Sequence, residues 1–377
     1  MKIRRPTLCS LFIIVLCSSC KQDFKPPVIQ NYLGALVVDG FINNGVDTTF
    51  ITLSRTKRLS DISGRLRESG ARLLLEDESG NVLYNFQEIN DQGIYIVPGM
   101  TLGFNTKYKL RIFTADKHEY LSDAVPVLKT PPIDSISWIR DGKGVTVYVN
   151  THDAVNNTRY YRWEFSETWR YRAAFFSTLI YDGGLRDRQP YEYKYECWKT
   201  QRSTQLLLAS SKNLSENIIY HNILRQIDPN AIELSIKYFI LVKQYALTKD
   251  YYDYLENLKK ITEQTGTIFD MQPSEIGGNI HEVNDNSEIV IGYLAASTQE
   301  TQQVYITNEE VQPWDFKDLC GLTFVPMDRI DSYLQSGGLI PLYYDGAGPD
   351  LKVVATEPIC ADCTLRGGET MKPDFWQ

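Results

Sequence analysis

Histidine is scarce in this chain and unpatterned. His118, His152, His221 and His281 are the only four in 377 residues, and none belongs to an H-E-x-x-H or H-x-H arrangement. No imidazole pair is therefore spaced to hold a metal. There is no G-x-S-x-G elbow and no P-loop, and "GGLRDRQP" and "IGGNI" supply glycine without the strand–glycine–helix setting that phosphate binding requires. Carboxylates are plentiful, but no two are singled out as an acid–base pair. A basic excess is also missing: 39 Lys and Arg stand against 47 Asp and Glu, for a formal net charge of −8. That is the wrong sign for a nucleic-acid partner. No apolar run approaches the ~18–20 residues that a spanning helix needs, and there is no internal repeat or low-complexity tract. No catalytic residue and no cofactor are expected.

What is present begins at the N-terminus. Lys2, Arg4 and Arg5 precede an apolar run from Leu8 to Leu16, then Ser18, Ser19 and Cys20. This is the layout of a bacterial lipoprotein signal over residues 1–19, with Cys20 lipidated as the first mature residue. Cys17 stands where leucine is usual. Removal of three basic residues with the signal leaves the mature body more acidic still. Residues 20–32 are polar and stiffened by Pro26 and Pro27, a tether between acyl anchor and folded body. Lysine rather than aspartate follows Cys20, which points to the outer membrane.

Cysteine arithmetic follows from that assignment. Cys9 and Cys17 leave with the signal and Cys20 carries lipid, so Cys197, Cys320, Cys360 and Cys363 remain. An even number in an exported chain favours structural disulfides over zinc or redox chemistry. The C-x-x-C of "CADCTLRGGETMKPDFWQ" has no second close ligand pair, and it lies in a Gly-rich tail rather than at a strand-to-helix turn. Four cysteines allow three connectivities, and the spacing does not choose among them. The tail is expected to be pinned by Cys360 and Cys363, with Phe375 and Trp376 buried against the body.

The rest reads as mainly β. Residues 33–130 carry short strands of period two separated by polar turns, including "ARLLLEDESGNVLYNFQE" with its turn at Glu78-Ser79-Gly80-Asn81. That pattern predicts an immunoglobulin-like β-sandwich. Lys129-Thr130-Pro131-Pro132 marks a boundary, since consecutive prolines hold an extended linker. Residues 131–377 are expected to form a second β-rich domain with one or two helices. Its clear strands are the hairpin "IDSISWIRDGKGVTVYVNTHD", "YYRWEFSETWRYRA", "AIELSIKYFILVKQYAL" and "NSEIVIGYLAAS". "LTKDYYDYLENLKKITEQTG" is a helix capped by Thr248 and stopped by Gly266, with an apolar stripe of Tyr251, Leu255, Leu258 and Ile261. "SENIIYHNILRQI" reads as a helical loop.

Aromatic residues supply the candidate binding surface. Trp163 and Trp169 lie an even distance apart on one predicted strand and so share a face. With Arg170 beside them, and Arg162 and Arg172 near, they form a candidate platform for a sugar or peptide, weighed against packing in the core. "DMQPSEIGGNI" is a candidate recognition loop.

Several stretches together carry a resemblance: the lipoprotein start, "LVVDGFIN", "PPIDSISW", "GTIFDMQPSEIGGNI", "EIVIGYLAAS" and the terminal "CADCTLRGGETMKPDFW". They resemble the Bacteroidota lipoprotein family known as domain of unknown function 4249. Gly367-Gly368-Glu369-Thr370 departs from the Gly-Gly-Thr-Asn common in that family. The resemblance implies a surface lipoprotein encoded beside TonB-dependent receptors and a role as accessory subunit of a transport barrel, with "KQD" a weak form of the family's surface-export tract. The alternatives are a stand-alone glycan- or peptide-binding lipoprotein and, third, a carboxylate-dependent hydrolase.

Overall fold

The computed structural model describes residues 33–58, 61, 63, 64, 66–263, 278–285 and 287–377. The proposed signal, Cys20 and the tether lie outside them, as do the helix stop at Gly266 and most of "DMQPSEIGGNI". The chain is mainly β, as expected, and among the described residues no helix is long and apolar enough to cross a membrane.

Alternation governs the first module. In Lys107–Phe113, Tyr108, Leu110 and Ile112 point inward while their neighbours do not, and Ile51 and Leu53 do the same in Thr49–Arg55. Two sheets thereby bury one aliphatic core holding Leu36, Ile51, Leu73, Leu75, Leu110 and Ile112. The hairpin Arg72–Asp77/Val82–Asn85 turns where predicted, with Gly80 at φ +85° supplying a conformation that L side chains resist.

The domain division differs from the expected one. The chain does leave the first sandwich at Lys129-Thr130-Pro131-Pro132, but residues 280–297, expected within 131–377, return to it. Val290–Gly292 pairs in parallel with Leu36–Gly40, Ala296–Ser297 with Ile42–Asn43 and Val125–Leu128, and Ile280–Glu282 runs antiparallel to Glu119–Ser122. The two modules are thus interlaced along the chain, the second taking residues on both sides of that return. Leu36 meets Val290 across most of the chain, and such a non-local contact leaves no local trace in sequence.

The second module is also a sandwich. One sheet runs Ile133–Asp141, Gly144–His152, Ile218–Ile227; the other runs Glu196–Arg202, Tyr160–Arg172, Lys237–Leu247, Gln299–Thr307. Ile218–Ile227 comes from the stretch expected to be a helical loop. Ile219, Leu224 and Ile227 bury at spacings that β-bulges distort, hiding the period of two. The helix Lys249–Glu263 forms as predicted, and the Thr248 hydroxyl accepts from the Tyr251 amide at 3.3 Å. Tyr251, Tyr252 and Leu255 are its buried residues, packed with Tyr245 and Ala295.

A small cap closes the far end. Its sheet, Thr323–Pro326, Lys352–Thr356, Ile340–Asp345, packs on Leu179 and Leu334. The four remaining cysteines form two disulfides, Cys197–Cys363 and Cys320–Cys360, so the C-x-x-C residues each take a distant partner. Cys197–Cys363 staples the tail to the second sandwich. Beside it Gly368 lies so close that a Cβ there would stand 2.4 Å from the Tyr171 hydroxyl, and Glu369 and Trp198 exchange two backbone hydrogen bonds of 2.8 Å. Trp376 buries against Phe239 and Tyr305 as expected, whereas Phe375 stays 48% exposed while touching Phe239.

Candidate binding cleft

Trp163 and Trp169 do share a face, on the unbroken strand Tyr160–Arg172, but that face is the inner one. Trp163 is 0% and Trp169 3% exposed, so both are core residues and not a ligand platform. The reason is packing: the inward row Tyr161, Trp163, Phe165, Trp169, Tyr171 fills the gap to Val145, Val147 and Val149 of the opposite sheet. Arg170 is on the outer face, bonded to Glu196 at 2.6 Å with its guanidinium 5.9 Å from the Trp198 ring. Arg170 and Arg172 hold the Glu196 carboxyl below its ordinary range: burial pushes it up, and the two guanidinium hydrogen bonds outweigh that. Glu196 is thus held by two guanidinium groups of the same chain, while the buried Arg170 Nε keeps no acceptor.

The buried Trp163 instead helps to lock the junction between the modules. Its indole N–H donates to Gln244 Oε1 at 2.8 Å, and Gln244 Nε2 donates to the Pro131 carbonyl at 2.8 Å and to Thr151 Oγ1 at 3.0 Å. Thr130 completes the joint. Its amide donates to Thr298 Oγ1 at 2.9 Å, its hydroxyl to the Thr298 carbonyl, and it accepts from the Ala246 amide at 3.0 Å. Two of the crossings between modules, around Thr130 and Thr298, are therefore bonded to each other and to the second sandwich. A buried, satisfied network of this kind fixes one geometry.

Beside that joint the outer faces of the two sandwiches form a cleft of about 780 Å³, within the range of small-ligand sites. The first sandwich contributes Asp39, Phe41, Asn43, Phe50 and Thr52; the second contributes Arg162, Glu164, Ser166, Arg202, Lys243 and Tyr245. Alternation explains the choice: with Trp163 inward, Arg162, Glu164 and Ser166 turn outward. Arg162 pairs with Glu164 and donates to the Tyr251 hydroxyl at 3.3 Å, and its guanidinium lies 5.7 Å from the Tyr245 ring. Phe41 meets the Tyr245 ring edge-on at 5.1 Å, an aromatic contact across the modules. Asp47 closes one end, accepting from Gln299 Nε2 at 2.6 Å with Lys243 Nζ at 3.7 Å.

Burial pushes the Tyr245 phenol up to about 12 and the Tyr251 phenol in the same direction, with Arg162 opposing in both cases. Both stay neutral near pH 7 and can donate or accept. Among the described residues no three His, Cys, Asp or Glu side chains converge as a metal site. Of the histidines, His152 bonds Asp134 at 2.8 Å and His221 stacks on Tyr148 and Tyr220, all away from the cleft. None of Asp39, Phe41, Phe50, Arg202 or Lys243 stood out in the sequence; the only trace was the outward phase of the strands that hold them.

Two interlocked β-sandwiches with a polar cleft at their junction define a modular β protein. The chain belongs to the family described as Domain of unknown function (DUF4249), whose model matches residues 21–303. That match ends before Cys320, Cys360 and Cys363, so the cap lies beyond it. Among solved structures, the chain is similar to a two fibronectin type-III domain segment from chicken tenascin at 12% identity and TM-score 0.16, covering 56% of this chain and 90% of that one. It is also similar to a structure titled for manganese lipoxygenase of Gaeumannomyces graminis and a partial zonadhesin of Komagataella pastoris. There the identity is 8% and the TM-score 0.15, over 58% of this chain and 90% of that one. No curated protein matches.

Proposed function

We propose that this protein is a binding component of the outer-membrane surface, anchored through lipid on Cys20, that serves a TonB-dependent transport barrel as an accessory subunit and helps to capture or admit its substrate. The observation that carries the binding part is the pre-formed cleft: two sandwiches fixed by the Thr130 and Gln244 networks hold a polar, ring-bearing space open to solvent. Pre-organisation of that kind removes an ordering cost from ligand binding. The cleft is read here as a binding site and not a catalytic one, a reading supported by the engagement of its Glu164 with Arg162. Lipid anchoring next to a barrel confines both partners to one surface and raises their effective concentration, so a modest interface suffices.

Stand-alone ligand capture uses the same cleft without a barrel. A tagged copy extracted from its own host in mild detergent separates the two: a barrel receptor in stoichiometric amount is expected by mass spectrometry, and recovery of a free monomer alone overturns the accessory role.

A further inference from the structure

Two charges in the cleft have no counterpart among the described residues. Asp39 is exposed on the first sandwich's wall and Arg202 on the second's, and neither has an ion-pair partner among the described residues. The other charged groups of the space are engaged, Arg162 with Glu164 and Lys243 with Asp47. Phe50 stands 54% exposed in the same space, and Leu241 lies on the facing wall.

A free carboxylate, a free guanidinium and exposed apolar surface together match one ligand class. Building on the cleft reading above, we propose that the site takes short zwitterionic peptides. The ligand's ammonium goes to Asp39, its carboxylate to the bidentate fork of Arg202, and apolar side chains to Phe50 and Leu241. A neutral glycan leaves both charges unused, and a ligand of one sign meets an opposing charge on one wall.

The test is calorimetric titration of the full mature chain in detergent with tetra-alanine and Ala-Phe-Leu-Ala, alongside their N-acetylated, C-amidated forms and maltotriose. Saturable binding of the free peptides is expected, tighter for the one with apolar side chains, with at least about a tenfold loss on blocking the termini. Asp39→Asn and Arg202→Gln, both solvent-exposed changes that should leave the melting temperature alone, are each expected to weaken the free peptide by a similar factor and to leave the blocked one unchanged. Equal affinity for free and blocked peptide, absence of any peptide binding by the folded chain, or preference for maltotriose overturns the proposal. The accessory role is judged separately: a barrel that co-purifies with a chain blind to peptides removes only the ligand class. A monomer that binds peptides removes only the barrel.

Discussion

The two sandwiches bring distant parts of the chain together by different means. The first has neither tryptophan nor disulfide; its core is mainly Leu, Ile and Val around Phe86, Tyr95, Tyr108 and Tyr120, completed when residues 280–297 return to pair with Leu36–Gly40 and Val125–Leu128. The second, with its cap, holds all six tryptophans and both disulfides found among the described residues, and Cys197–Cys363 spans 166 residues. Closing a long loop costs entropy that grows only slowly with its length. One module meets that cost with returning strands, the other with a covalent link that also restricts the unfolded chain. The contrast teaches that a module's closure need not be visible where its strands are.

The largest expected effect comes from the aromatic core. Trp163→Ala should cost about 3–5 kcal/mol in the second sandwich, because it leaves a cavity and strands Gln244 Oε1. Urea denaturation followed by circular dichroism should show that module's transition moving while the first stays in place. A shared shift would mean that the two unfold as one unit.

Opening the staple comes next. Cys197→Ser with Cys363→Ser should lower the stability of the second sandwich and cap by about 2–5 kcal/mol, with Cys320–Cys360 intact. Limited proteolysis should then release the tail first. An unchanged melting temperature would show that the backbone pairing of Trp198 with Glu369 and the burial of Trp376 hold the tail without the link.

The smallest effect sharpens the boundary between the modules. Thr130→Val keeps the shape but leaves the Ala246 amide without its acceptor, at a cost of about 1–3 kcal/mol. Hydrogen exchange around residues 128–132 and 297–299 should rise while both cores stay protected. Ligand affinity at the cleft should fall because its walls are less firmly held. Protected exchange at the joint together with full affinity would contradict a lock at Thr130.

Much of the fold was legible because it is local. Alternation marked the strands of the first module and the long strand Tyr160–Arg172, two turns marked their hairpins, and Thr248 marked the start of the helix. Trp163 and Trp169 were correctly put on one face, but a period of two cannot say which face is covered, and covering decided their role. Ile218–Ile227 was missed because its bulges break the period. The cleft was not legible at all, since Asp39 and Arg202 belong to strands of different modules that meet only in space.

The sequence by itself determined what depends on neighbours along the chain: strand periodicity, turn chemistry, the helix cap, and through an even cysteine count the expectation of disulfides. Which cysteines pair, where residues 280–297 belong, which way the tryptophans face and which charges remain unmatched were decided only by the tertiary structure. The physical reason is one of range. Backbone preferences act over a few residues, whereas burial, strand pairing and charge neutralisation depend on partners that the chain brings together only once it has folded.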